Sequence, residues 1–245
     1  MKTTARALIL LGVVSAMLSA SLLAQATGKA SGHWKGEIQI PNQILGITVD
    51  LTTNPAGVWI GSMSVSGTTA ADVPLGNVTI DGSAVRFTAE LPGATFFDGL
   101  LSADANTLSG KVSNEQGGVP FTLSRSGEPN VKVPAPSSAL TSDFEGAWEG
   151  SIEARGSVMR VALTLSRASD GTAKATLVNR DQGSEVIPVT TVTLQDRQLL
   201  LDARAISGTF RGTLNPSGQI AGEWSEGSGR VPLTFVRVGS DAKTP

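Results

Sequence analysis

An internal repeat constrains this chain more than any other feature of its sequence. Residues 32–36 (GHWKG) are similar to residues 146–150 (GAWEG), and residues 119–125 (VPFTLSR) are similar to residues 231–237 (VPLTFVR). Between these ends the order is kept, with VTI at 78–80 and FDGLL at 97–101 facing VTL at 192–194 and FRGTL at 210–214. Self-similarity of this kind predicts repeated structural units. The chain is therefore expected to contain two copies of one module.

Each copy has the alternating pattern of half-buried strands. In the first strand the residues of one face are Trp34, Gly36, Ile38 and Ile40, and those of the other are His33, Lys35, Glu37 and Gln39. A period of two over eight residues is typical of a strand with one buried face. Similar runs, separated by Asp-Gly and Ser-Gly turns, predict about eight short strands per module and no helix. The expected fold class is all-β: two tandem antiparallel meander modules, either up-and-down barrels of the lipocalin type or β-sandwiches. Barrels are favoured because closure leaves no open edge.

Composition changes along the chain divide it into five segments. Residues 1–26 have Lys2 and Arg6, then an apolar stretch, then Ala24-Gln25-Ala26, which is the pattern of a cleaved signal peptide. Residues 27–125 form the first module and residues 144–238 the second. The prolines of residues 126–143 predict a semi-rigid linker, and residues 239–245 a flexible tail. The protein is therefore expected to be exported, to the periplasm or beyond, with no membrane span after cleavage.

The pairing of Gly-x-Trp in a first strand with Arg at the end of a last strand resembles the calycin signature of lipocalins and their relatives. That resemblance implies that Arg125 packs on Trp34, and Arg237 on Trp148, where each barrel closes. The fuller set G-x-W-x-G, Phe-x-Gly-x-Leu, Pro-Leu/Phe-Thr and a closing Arg is similar to the β-rich domain that precedes the catalytic domain in some secreted bacterial α/β-hydrolases and peptidases. No hydrolase domain follows Arg237, so this second resemblance implies an accessory or binding module.

The residues that catalysis or metal binding would need are sparse. The chain has no Cys and one His, which excludes disulfides and thiolate metal sites and leaves no recognisable zinc ligand set. His33 is expected to be a plain surface residue, because it alternates with Trp34 and no Gly-x-Ser-x-Gly elbow accompanies it. Asp104 and Asp181 lie in loops that could bind calcium but are better explained as turn residues. We therefore predict no enzyme, no cofactor and no metal.

Apolar side chains predicted to face the barrel interiors are the candidate ligand-binding residues: Trp59, Met63, Phe87, Phe97, Leu177, Leu201, Phe210 and Trp224. An eight-stranded barrel is either filled by its own side chains or just wide enough for a small ligand. Inward glycines such as Gly36, Gly61, Gly99 and Gly110 could leave room, or could serve only to bend strands. Because Ala173 replaces Trp59, the second module is expected to be the roomier one at its third strand.

The predicted function is non-catalytic: the tandem modules bind a small apolar molecule or an extracellular protein. Two alternatives remain open, an accessory module for a separately encoded secreted hydrolase and a hydrolase of unrecognised design. Nucleic acid is not expected as a partner, because the formal net charge is −2 and no cluster of Lys and Arg is visible.

Overall fold

The structure, a computed structural model, describes residues 29–40, 43–93, 95–114, 117–154, 156–181, 183 and 185–239. The predicted leader, residues 1–26, and most of the predicted tail lie outside this part of the chain. The described residues form two modules, each with its own buried apolar cluster, one around Trp34 and one around Trp148. The only helix in this part is the 3-10 helix Arg204–Ile206, and no helix there is long and apolar enough to cross a bilayer.

Module 1 is a closed barrel in which every strand pairs with its neighbours in sequence and β8 pairs with β1. Its strands are β1 (Gly32–Ile40), β2 (Gln43–Thr53), β3 (Trp59–Val65), β4 (Val73–Asp81), β5 (Ala84–Ala89), β6 (Thr95–Leu101), β7 (Thr107–Asn114) and β8 (Gly117–Gly127). The alternation seen in the sequence places Trp34, Val49 and Leu123 inside and polar residues outside. The barrel predicted for this module is confirmed, and the sandwich is wrong.

Module 2 has nine strands because the counterpart of β4 is interrupted. Its strands are β9 (Gly146–Ala154), β10 (Ser157–Arg167), β11 (Ala173–Asn179), β12 (Val186–Val189), β13 (Thr191–Gln195), β14 (Gln198–Ala203), β15 (Gly208–Leu214), β16 (Ile220–Glu226) and β17 (Gly229–Arg237). The two ends of this barrel-shaped sheet are β12, which pairs with β11, and β13, which pairs with β14. β12 and β13 follow each other directly in the chain but do not pair with each other, and the gap between these two edge strands is called the seam of the barrel.

The predicted linker fills part of this seam. The backbone N–H of Ser138 donates to Val192 O at 2.8 Å, and Ser138 O accepts from the N–H of Ala173 at 2.7 Å. The same residue therefore joins β13 to the start of β11. Two residues farther on, Leu140 is buried in the core of module 2. The core of module 2 thus begins before the predicted boundary at 144. The Pro/Ser-rich composition of this segment predicted a linker, but Leu140 within it buries its apolar side chain.

The modules contact each other through the 3-10 helix of module 2. Arg204 Nη1 donates to Asp72 O at 2.9 Å in module 1 and to Lys132 O at 3.0 Å in the linker. Ser207 Oγ donates to Thr69 O, and the N–H of Ala71 donates to Arg204 O at 3.4 Å. The segment between β3 and β4 is therefore held by hydrogen bonds from module 2.

Inward glycines allow the strands to approach closely rather than leaving an internal space. Gly99 faces Gly110 across β6 and β7, and a Cβ on Gly110 would lie 2.1 Å from Asp98 O and 2.6 Å from the Cα of Gly99. Module 2 repeats the arrangement with Gly212 and Gly222. At Gly110 and Gly222 the inward glycines thus leave no room, and the role found is close approach of neighbouring strands.

Candidate functional site

One end of barrel 1 is sealed by a tryptophan and an arginine. The Arg125 guanidinium lies 4.4 Å from the centroid of the Trp34 ring. Its Nε donates to Ala105 O at 2.9 Å, and its terminal nitrogens donate to the carbonyls of Ser31 and Lys29. The Trp34 Nε1 donates to Ala30 O at 3.1 Å. The cation–π contact and these hydrogen bonds close the barrel and tie the chain before β1 to the end of β8.

The two glycines of the G-x-W-x-G motif are needed for this closure. A Cβ on Gly32 would lie 2.2 Å from Arg125 Nη1, inside the volume that the guanidinium occupies. A Cβ on Gly36 would lie 1.9 Å from Thr122 O on the neighbouring strand β8. The first glycine therefore makes room for the arginine, and the second allows β1 and β8 to meet.

Module 2 is sealed in the same way. The Arg237 guanidinium lies 4.2 Å from the centroid of the Trp148 ring and donates to the carbonyls of Glu145 and Asp143. Trp148 Nε1 donates to Phe144 O at 2.9 Å. These are the two Trp/Arg pairs that the sequence indicated. The seal is therefore a property of the repeat and does not distinguish the modules.

The opposite end of barrel 1 is open and leads into a cavity of ≈ 730 Å³. The cavity is lined by the last residues of β1, β3 and β7, the first residues of β2 and β8, and the turn between β5 and β6. Met63, Phe97 and Val112 are buried residues of this lining, and Leu91 and Thr95 lie at the β5–β6 turn. This volume lies within the range of small-molecule sites, roughly 300 to 1,000 Å³.

The candidate residues of module 1 divide between the cavity and the core beneath it. Met63 and Phe97 contribute to the lining. Phe87 does not line the cavity; it is buried and stacks on Phe97 with ring centroids 4.6 Å apart. Trp59 is half-buried at the start of β3, toward the sealed end of the barrel, and is also not part of the lining. Phe87 therefore packs behind the lining residue Phe97, and Trp59 lies away from the cavity.

The corresponding cavity of module 2 has a volume of only ≈ 210 Å³. Leu177 and Trp224 line it, together with Ile206 of the 3-10 helix. Leu201 and Phe210, the other two candidates, are fully buried in the core and are not part of this lining. Half of the predicted interior residues in each module therefore face a cavity.

The larger mouth cavity belongs to module 1 and not to module 2, and Trp224 explains why. Trp224 occupies the position that Val112 holds in module 1. Its indole packs against Gly208, where an added Cβ would lie 2.2 Å from Trp224 Cζ2. Module 1 has Thr95 at the position of Gly208. The substitution on which the expectation rested, Trp59 to Ala173, lies near the sealed ends and does not affect the mouths.

Two carboxylates lie near the β5–β6 turn, outside the lining of cavity 1. Glu90 precedes the lining residue Leu91; the residue is exposed, but desolvation of its carboxylate raises its pKa above the ordinary value, and the charge of Lys174 partly opposes this. A Cβ on Gly93, in the same turn, would lie 3.1 Å from Glu185 Oε1 of module 2. Module 2 thus brings one cation and one carboxylate near the β5–β6 turn.

His33 is not the plain surface residue that its alternation predicted. Its Nδ1 lies 2.8 Å from Asp50 Oδ1, and its side chain is 24% exposed. Asp50 Oδ1 also accepts from the N–H of Asn130 at 2.7 Å, and Ser62 Oγ accepts from the N–H of Lys132 at 3.1 Å. His33, Asp50 and Ser62 lie side by side across β1, β2 and β3 and hold the linker on the outer wall.

This row has the residue types of a catalytic triad but not its order. A Ser-His-Asp relay needs the imidazole between the serine and the carboxylate. Here Asp50 lies between His33 and Ser62, because it is in the middle strand. The arrangement therefore suits attachment of the linker. The hydrogen bonds among these residues escaped sequence reasoning, although His33 faces Asp50 in the same β1–β2 register that pairs Ile40 with Gln43.

The two loop aspartates make hydrogen bonds within their own surroundings. Ser102 Oγ and the N–H of Asn106 donate to Asp104, and these bonds lower the pKa of the Asp104 carboxyl. Asp181 accepts two hydrogen bonds from the Arg160 side chain and one from its N–H, which lowers its pKa too. No group of three or more metal-ligating side chains occurs among the residues that the structure describes.

Comparison with known proteins leaves the family open. No family model matches the chain, and no curated protein has significant similarity to it. Among solved structures, a candidate outer membrane protein of Bacteroides fragilis is 13% identical over 85% of this chain and 97% of its own, with a TM-score of 0.26. A protein of unknown function from the DUF3598 family of Nostoc punctiforme is 14% identical over 86% and 97%, with a TM-score of 0.24. A protein of Nitrosomonas europaea described as a candidate AttH is 12% identical over 83% and 90%, with a TM-score of 0.22. The function must therefore be inferred from the residues of the two barrels.

Proposed function

We propose that this protein is an exported, non-catalytic binding protein whose first barrel takes up a small apolar molecule. The observation that carries the proposal is the open cavity of ≈ 730 Å³ above Phe97 and Met63. Export rests on the leader pattern of residues 1–26. The accessory and protein-binding roles stay predictions.

The asymmetry between the barrels supports a single main site. A cavity of ≈ 210 Å³ in module 2 is below the range of typical small-molecule sites, which begins at roughly 300 Å³. Module 2 instead contacts the β3–β4 segment of module 1 through Arg204 and Ser207. We assign the binding role to module 1 and a supporting role to module 2.

The proposal of a non-catalytic role rests on how the reactive side chains are used. His33 and Asp50 bind each other and the linker, on the outer face of β1 and β2. A base must be within hydrogen-bond reach of a bound substrate, and this pair is separated from the cavity by the barrel wall. Among the residues that the structure describes, the cavity lining contains no titratable side chain.

Titration of the delipidated protein with the neutral fluorescent dye phenylnaphthylamine tests the proposal. We expect saturable binding of one dye molecule per chain, detected by fluorescence enhancement and by native mass spectrometry. The double variant Val112→Trp, Thr95→Gly, which copies the filled mouth of module 2, is expected to lose this binding. Equal binding by the wild type and the double variant, or no saturable binding at all, would refute the proposal.

A further inference from the structure

We infer that the ligand of barrel 1 is an uncharged apolar molecule, such as a long-chain alcohol, an ester or a hydrocarbon, and not a fatty acid anion or a cationic amphiphile. This inference rests on the proposed function and specifies the ligand class of the same cavity. Its basis is the distribution of charge in and around the lining.

The lining offers no partner for an ion. Its described side chains are apolar except for Thr95, Ser113 and Asn114, all of which are neutral. Transferring a carboxylate or an ammonium group into such a site costs several kcal/mol of hydration that no opposite charge returns.

The charged groups near the β5–β6 turn do not supply an anion site. Glu90 flanks the lining residue Leu91, and Glu185 lies against Gly93, but neither carboxylate belongs to the lining. A hydroxyl or ester group needs no opposite charge, and Thr95 and Ser113 supply neutral polar atoms to the lining.

Lys111 is the cation that could contradict this inference. Its side chain runs along Gly118, so that a Cβ on Gly118 would lie 2.1 Å from Lys111 Cε and 3.0 Å from Nζ. Gly118 belongs to the lining, but it alternates with Val119, which packs against the core, and so its missing side chain would point outward. Lys111 is exposed on the outer wall. It is expected to have no part in binding, and the experiment includes it for that reason.

Displacement of bound phenylnaphthylamine by three ligands of one chain length tests the inference: dodecanol, dodecanoate and dodecyltrimethylammonium, at neutral pH and below their micelle-forming concentrations. We expect dodecanol to displace the dye at a concentration at least about tenfold lower than either ion, because only the ions lose hydration without compensation. The variant Lys111→Gln should leave all three concentrations unchanged.

Each other outcome has a distinct meaning. Displacement by dodecanoate as effective as by dodecanol, particularly if Lys111→Gln abolishes it, would overturn the inference by showing an anion site at the rim. Equal or better displacement by the ammonium ligand would overturn it in favour of a cation site at Glu90 and Glu185. If the dye binds but none of the three ligands displaces it, the inferred ligand class is refuted and the proposed function stands. If the dye does not bind, the proposed function itself is refuted.

Discussion

The two barrels have the same sealed end and differ at the open end. Both use a Trp/Arg pair with the guanidinium about the same distance from the ring, 4.4 Å in module 1 and 4.2 Å in module 2. At the mouths, Val112 and Thr95 in module 1 are replaced by Trp224 and Gly208 in module 2, and the cavity shrinks from ≈ 730 to ≈ 210 Å³. Two copies of one barrel can therefore differ in internal volume, because two residues at the rim determine how far side chains fill each barrel.

The largest expected effect on stability follows from removal of the Trp224 indole. Trp224→Val should destabilise the protein by about 3 kcal/mol, since a large buried side chain is removed and the surrounding wall cannot fully collapse. Urea denaturation measures the change. Trp59→Val is the matched control, because Trp59 is only half-buried and should cost less. Equal costs for the two variants would show that Trp224 does not support barrel 2.

Filling the mouth of module 1 should have the next largest effect. Val112→Trp combined with Thr95→Gly is expected to weaken dye binding by about a hundredfold, which corresponds to about 2.7 kcal/mol. Fluorescence titration measures the affinity. Thr95→Gly alone and Ile44→Trp, which adds an indole at an exposed position on the same rim, should bind almost normally. Normal binding by the double variant would place the site elsewhere.

A methyl group at the sealed end should disturb the feature that both modules share. Gly32→Ala is expected to cost about 2 kcal/mol, because its Cβ would displace the Arg125 guanidinium from its place over Trp34. Gly127→Ala is the matched control, since a Cβ there has no heavy atom within 4 Å. Thermal or urea unfolding compares them. If the two variants were equally stable, the first glycine of the motif would not be required for closure.

Releasing the linker tests a second difference between the modules. The row His33, Asp50 and Ser62 of module 1 corresponds to Ala147, Thr164 and Thr176 in module 2. Asp50→Ala should cost about 1.5 kcal/mol, because hydrogen bonds to a charged group are lost.

Hydrogen exchange locates the effect of Asp50→Ala. The amides of Asn130 and Lys132 should exchange faster, and Thr164→Ala, the control in module 2, should leave them unchanged. Unchanged protection of both amides in Asp50→Ala would show that other contacts hold the linker.

The smallest effect concerns an ion pair found in module 2 alone. Hydrogen bonds from Arg160 lower the pKa of Asp181, and module 1 has Gly46 and Gly67 at these positions. A carboxylate with a lowered folded-state pKa stabilises the protein above its unfolded pKa, and this contribution is lost as the pH falls through the folded value.

We therefore expect Asp181→Asn to be slightly less stable than the wild type at neutral pH and equally stable in acid. Unfolding midpoints measured across the acidic range check this, with the exposed turn residue Asp196→Asn as a control. A difference that grew toward low pH would contradict the assignment.

Local pattern was enough to predict the strands and the two modules, whereas the closing pairs were implied by the resemblance to the calycin signature. Alternation at Trp34 and Ile38 identifies the buried face of a strand whatever its neighbours are, and repetition of the motif makes the same prediction twice. The facing positions of His33 and Asp50 belong to the β1–β2 register, in which Ile40 pairs with Gln43. The sequence did not predict that the backbone N–H of Asn130, in the linker, donates to the same Asp50 oxygen that His33 contacts.

Sequence by itself determined which residues face inward, since a period of two depends only on the backbone of one strand. The tertiary structure decided how much space they leave. Cavity volume depends on which side chains from different strands meet at one level of the barrel, and here Trp224 meets Gly208 in one module while Val112 and Thr95 meet in the other. No residue on its own contains that information, because filling is a property of packed neighbours.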